Sequence, residues 1–205
     1  MLKHIPNALT VLRILLAISG AVALWYSYSW SVDHSVPATL GDPELTVRAL
    51  AAFSVAAFVI AAISDWLDGW LARRWSAESR FGTVLDPIAD KLLVNAYLLV
   101  YTIVLDVPLY LAVPVAAMVL RDTVITLARM VSRDAPDTVL PVSPAAKLKT
   151  AIALVVTAFP LLAFLFGWQS VGFLLYAWLV AVWITAAMSL ATGLSYLRRK
   201  PAAGH

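Results

Sequence analysis

The 205-residue chain has no cysteine, which excludes disulfides, thiolate metal sites and thiol nucleophiles while leaving the compartment open. It is also poor in charge. Asp, Glu, Lys and Arg make up 13% of it, well under the ordinary quarter or so, whereas 62% is hydrophobic and the mean hydropathy is +0.86. Such a composition excludes a soluble globule. The short alternating strands of a membrane β-barrel are missing too, because runs such as Ala151 to Phe166 and Gly172 to Leu190 are apolar on every face. No repeat and no low-complexity tract divides the chain, so a single domain over 1–205 is expected. A cleavable signal peptide is not expected: the start, with Lys3, is weakly basic, its apolar run is long, and no clear small-x-small site follows.

What the chain does have is long apolar runs bounded by Pro, Gly or charge. They predict an all-α integral membrane protein with six transmembrane helices at 8–30, 48–74, 84–105, 108–131, 147–167 and 170–197. Ser31 to Val47, with Pro37, Gly41 and Pro43, is expected to be an outer loop, and 134–146, with Pro136, Pro141 and Pro144, an inner one. Positive charge supports the map: with Arg48 the sole exception, every Lys and Arg falls near the N-terminus, the 2–3 junction, the 4–5 junction or the C-terminus. Cations accumulate on the cytoplasmic side. Both termini and the 2–3 and 4–5 loops are therefore placed in the cytoplasm, with Asp33, Asp42, Glu44 and Asp106 outside. The cationic side faces anionic headgroups, so membrane lipids and no nucleic acid are the expected counterparts. Arg198, Arg199 and Lys200 are assigned to anchoring and topology.

Against this apolar background the carboxylates stand where they are expensive. Asp65 and Asp68 lie within helix 2, and Asp86 and Asp90 near the start of helix 3. An ionisable group in a membrane helix points to function. Helical spacing puts Asp65, Asp68, Gly69 and Ala72 on one face of helix 2, and Gly82, Asp86 and Asp90 on one face of helix 3. Four carboxylates in one apolar cavity need shared positive charge. Oxygen-only ligands select Mg²⁺, Mn²⁺ or Ca²⁺, and a dinuclear site that polarises a phosphoryl group is the economical arrangement. Gly69 and Ala72 leave the helix bare where a bulky ligand must approach, and Arg73 adds a fork suited to phosphate. The full string, Asp65-x2-Asp68-Gly69-x2-Ala72-Arg73-x8-Gly82-x3-Asp86-x3-Asp90, has a chance occurrence of roughly 10⁻¹⁰ per starting position at ordinary residue usage.

That string resembles, without a substitution, the signature of the CDP-alcohol phosphotransferases, six-helix membrane enzymes that move a phosphatidyl or similar group from a CDP-linked donor to an alcohol and release CMP. The resemblance implies that Asp65, Asp68, Asp86 and Asp90 hold two divalent cations, Mg²⁺ first and Mn²⁺ as the alternative. It further implies that Gly69, Ala72, Arg73 and Gly82 surround the CDP moiety and that Asp90 is the catalytic base. A homodimer is the family expectation.

The flanks are similar to the branch that makes phosphatidylglycerophosphate in bacterial cytoplasmic membranes. Ile5-Pro6-Asn7-Ala8-Leu9-Thr10-Val11-Leu12-Arg13 resembles the start of helix 1 in that branch, with Asn7, Thr10 and Arg13 along the donor's nucleotide or phosphate. Helix 4 carries Arg121-Asp122 and Arg129, and helix 5 opens with Lys147-Leu148-Lys149. A buried cation wants an anion, so Arg121 should meet either the neighbourhood of Asp122 or a substrate phosphate. The resemblance implies that Arg121, Lys147 and Lys149, with Arg129 and Arg80 in reserve, meet the phosphate of sn-glycerol 3-phosphate while CDP-diacylglycerol is the donor. Two departures from that branch are Ala146 in place of a frequent Gly and Asp122 in place of a frequent Glu; Arg-Asp also occurs among the family's cardiolipin synthases. Other acceptors, namely phosphatidylglycerol, inositol phosphate or serine, stay open. A cation transporter is the remote alternative, distinguished by cation flux without CMP formation.

Overall fold

The computed structural model describes residues 5–75, 80–131, 144–166, 168 and 172–198, with side chains described for 7–65, 67, 85, 88, 89, 91–127, 150–164, 166, 168 and 172–193. Among them are six α-helices and no strand: α1 (Ile5–Asp33), α2 (Pro43–Trp75), α3 (Arg80–Val104), α4 (Leu109–Val131), α5 (Pro144–Leu165) and α6 (Gly172–Arg198), with a 3₁₀ turn at Ala38–Leu40 between α1 and α2. By length and composition, Asn7–Asp33, Pro43–Asp65, Leu109–Leu127 and Gly172–Gly193 can each cross a bilayer, whereas the apolar parts of α3 and α5, Lys91–Val104 and Thr150–Phe164, are shorter. The chain is a multi-pass membrane protein. Its exposed surface carries Leu15, Leu120, Val155 and Phe173, side chains that suit hydrocarbon contact.

Four helices begin earlier than the apolar runs indicate, α1 at Ile5, α2 at Pro43, α3 at Arg80 and α5 at Pro144, and two of them begin at proline. α2 starts at Pro43 because Asp42 caps it: the Leu45 amide donates to Asp42 Oδ1 at 3.0 Å, and proline suits the first helical position. The expected loop from Ser31 to Val47 accordingly shrinks to residues 34–42. Arg48 pairs on this first turn with Glu44. α5 likewise starts at Pro144 rather than 147. α3 ends at Val104 in paired bonds, Asp106 N–H to the Ile103 carbonyl at 3.0 Å and Val107 N–H to the Thr102 carbonyl at 2.9 Å. Asp106 and Val107 take left-handed φ values of 60° and 53° there, and Pro108 prevents continuation.

The described residues form two compact units, Met1–Val107 and Pro108–His205. In the first, α1 packs along both α2 and α3. Small side chains make this possible, with Ala17 and Ala21 of α1 and Ala57 and Ala61 of α2 buried, so that backbones approach closely as in other membrane helix pairs. Tyr97 of α3 reaches into this seam, where its hydroxyl donates to the Ser54 carbonyl at 2.8 Å and its ring packs edge-on against Phe58. Gly20 is required at the crossing: a Cβ there would overlap the Tyr97 hydroxyl and come within 2.8 Å of the Ala57 Cβ. Gly20→Ala is therefore expected to destabilise the protein by about 1–3 kcal/mol, measurable as a lower melting temperature in detergent; an unchanged melting temperature would mean the seam opens freely.

In the second unit α6 packs against α4 and α5, and each of those carries an internal proline. A proline inside a helix leaves the carbonyl four residues earlier without its amide donor. Pro114 does this to Tyr110 and Pro160 to Val156. Both carbonyls are taken up by α6 indoles, Trp183 Nε1 donating to the Tyr110 carbonyl at 2.9 Å and Trp178 Nε1 to the Val156 carbonyl at 2.8 Å. The chain thus keeps two helix breaks in an apolar setting with their backbone satisfied.

Candidate active site

The carboxylate string begins where α1 crosses α2. Thr10 and Arg13 of α1 are each 1% exposed, and Asn7 one turn earlier is half-buried. A buried guanidinium requires an anion. Arg13 finds one in Asp65, with its NH1 2.7 Å from Oδ1, the carboxylate itself being 36% exposed. The resemblance places Arg13 along the donor; in the structure it holds the first carboxylate of the string, a pairing that 51 intervening positions hide from any local pattern.

Beyond Asp65 the backbone of α2 stays helical through positions 68, 69, 72 and 73, and α3 is helical from 80 through 82, 86 and 90. The backbone at these positions is therefore helical, as the spacing requires. The side chains at Asp68, Gly69, Ala72, Arg73, Arg80, Gly82, Asp86 and Asp90 lie outside the described residues, as do those of Arg129, Lys147 and Lys149. Among the described residues no group of three or more His, Cys, Asp or Glu is placed to hold a metal.

In the second unit, Arg121 lies between α4 and α6. Its NH1 is 2.7 Å from Asp122 Oδ1 and its NH2 donates to Thr192 Oγ1 at 3.1 Å, with the side chain 13% exposed. Of the two anions the sequence allows for Arg121, the structure shows the neighbouring aspartate. Gly193 lies beneath the arginine; a Cβ there would come within 2.8 Å of Nε and 3.1 Å of Cγ. Thr192 and Gly193 escape the motif reading altogether. The available signal is a glycine well inside an apolar helix, which costs about 1 kcal/mol relative to alanine and so points to a close approach.

A family model described as CDP-alcohol phosphatidyltransferase matches residues 3–191. The chain belongs to the CDP-alcohol phosphatidyltransferase family. Two relatives are named CDP-diacylglycerol–glycerol-3-phosphate 3-phosphatidyltransferase and align nearly end to end. That of Salmonella typhimurium is 30% identical over 95% of this chain and 93% of its own length, and that of Escherichia coli K12 is 29% identical over the same shares. A third of that name, from Pseudomonas fluorescens, is 39% identical over 62% of this chain and 54% of its own. The CDP-alcohol phosphatidyltransferase match takes in Arg13, the carboxylate string and Arg121, and stops one residue short of Thr192.

Proposed function

We propose that this protein transfers the phosphatidyl group of CDP-diacylglycerol to sn-glycerol 3-phosphate, giving phosphatidylglycerophosphate and CMP in phospholipid synthesis. The observation that carries the reading is the near end-to-end likeness to relatives of that name in a chain that holds the complete string from Asp65 to Asp90. In the reaction a hydroxyl oxygen of glycerol phosphate forms a bond to the lipid-bearing phosphorus, and the bond from that phosphorus to the CMP oxygen breaks. Asp90 takes the hydroxyl proton, and no covalent enzyme intermediate is required.

The donor set suits two hard divalent cations, Mg²⁺ or Mn²⁺. Asp65, Asp68, Asp86 and Asp90 offer carboxylate oxygens only, on two successive helices, in a chain without cysteine. Bound there, such a pair supplies positive charge to the transferring phosphate and to the departing CMP oxygen. Arg13 holds one oxygen of Asp65 in place. Gly69, Ala72 and Gly82 leave room for the CDP moiety, Arg73 meets its phosphates, and Asn7 and Thr10 flank it. Arg121, Lys147 and Lys149, backed by Arg129 and Arg80, receive the acceptor's phosphate.

Within the same reading the protein is a homodimer in a bacterial cytoplasmic membrane, with termini and active site on the cytoplasmic face. That side carries every Lys and Arg except Arg48, whose charge Glu44 offsets.

The deciding experiment compares acceptors with purified protein, CDP-diacylglycerol and Mg²⁺. CMP release is expected to depend on sn-glycerol 3-phosphate. Robust release with phosphatidylglycerol and none with glycerol phosphate would replace the acceptor while sparing the family.

A further inference from the structure

We infer that Thr192 and Gly193 of α6 are positioning residues that set the guanidinium of Arg121 for the acceptor's phosphate; the inference rests on the acceptor reading of Arg121 given above. An arginine side chain loses rotamer entropy when fixed in one place, so a fork that must meet a phosphate in register needs outside support. Asp122, on the same helix, holds NH1. The second terminal nitrogen is held from α6.

The Thr192 hydroxyl has a single proton, and carbonyls of the preceding turn take it, Met188 and Ser189 each at 2.9 Å. A lone pair is thereby left to accept from Arg121 NH2. Thr192 can act toward this arginine only as an acceptor, which fixes its orientation.

Gly193 acts by what it lacks. The predicted contacts of a Cβ fall on Nε and Cγ, in the middle of the arginine stem, so the bare backbone lets that stem lie flat between α4 and α6. Nε is buried there without a hydrogen-bond partner, and Ile125 closes the same surface from α4. With Nε turned inward and one N–H of each terminal nitrogen committed, one N–H on NH1 and one on NH2 remain. Two such donors, one from each terminal nitrogen, can meet a phosphate.

The test separates this positioning role from simple helix packing. Kinetics of Thr192→Val, Thr192→Ser, Gly193→Ala and Arg121→Met are measured in lipid nanodiscs against both substrates, with melting temperatures alongside. Thr192→Val is expected to raise KM for sn-glycerol 3-phosphate about tenfold, with kcat and the KM for CDP-diacylglycerol within about twofold of wild type. Gly193→Ala should raise it further, and Thr192→Ser, which keeps the acceptor oxygen, should restore it. If Arg121→Met raises that KM but Thr192→Val and Gly193→Ala do not, α6 has no positioning role and the inference is overturned while the assignment of Arg121 stands. If Arg121→Met leaves it unchanged, the acceptor reading of Arg121 falls and takes the inference with it. Equal losses toward both substrates in Thr192→Val, in step with a lower melting temperature, would make the contact structural only.

Discussion

Asparagine at position 65, 68 or 86 is expected to cut CMP release by roughly 10²–10³-fold or more. Each change keeps side-chain volume and removes one negative charge from the proposed metal site, and several kcal/mol of charge stabilisation at a phosphoryl transfer corresponds to that range. Chelation with EDTA should give the same loss, reversed by Mg²⁺ or Mn²⁺. Asp90→Asn should stop turnover with a smaller effect on CDP-diacylglycerol binding, since its proposed distinguishing task is to take a proton from the acceptor. The measurements are initial rates of CMP formation and, separately, retention of labelled donor. Full turnover in EDTA, or a wild-type rate for Asp90→Asn, is incompatible with the proposed chemistry.

The second large effect is expected at Arg13. Methionine there keeps much of the length and removes the charge, depriving Asp65 of its buried counter-ion. Breaking a wholly buried pair costs about 3–5 kcal/mol. Asp65 is about one third exposed, so solvent takes up part of that loss, and roughly 1–3 kcal/mol is expected. Activity should fall about 10–100-fold, the usual consequence of removing the partner that orients a metal-binding side chain. A double-mutant cycle with Asp65→Asn reads the coupling directly, with the melting temperature as the signal. Strict additivity would show that the ion pair contributes nothing. Mn²⁺ affinity measured by electron paramagnetic resonance should weaken in Arg13→Met, and unchanged affinity would remove Arg13 from any role in orienting Asp65.

How legible each feature was in the sequence follows its physical origin. Bilayer thickness and the cost of an unsatisfied backbone determine the helices, so their number and middles are readable from apolar runs alone. Their starts are less so, because Asp42-Pro43 and Pro144 look like loop punctuation although proline is at ease in a first helical turn. The carboxylates stand out because membrane helices rarely carry charge. The partners of those groups do not, since Arg13 meets Asp65 and Arg121 meets Thr192 only after distant helices pack. Gly20 and Gly193 read as ordinary small residues until Tyr97 and Arg121 are seen lying against them.

The two indole caps bear on how the protein is made. A ribosome delivers α4 and α5 to the bilayer before α6 exists, and during that interval Pro114 and Pro160 leave the Tyr110 and Val156 carbonyls without a helical donor. In hydrocarbon such groups are costly to leave bare. α6, synthesised after both, is the helix that brings Trp178 and Trp183 to them. Insertion of α4 and α5 is thus completed by α6, and a nascent chain stopped before α6 presents two unsatisfied carbonyls to lipid or to quality control.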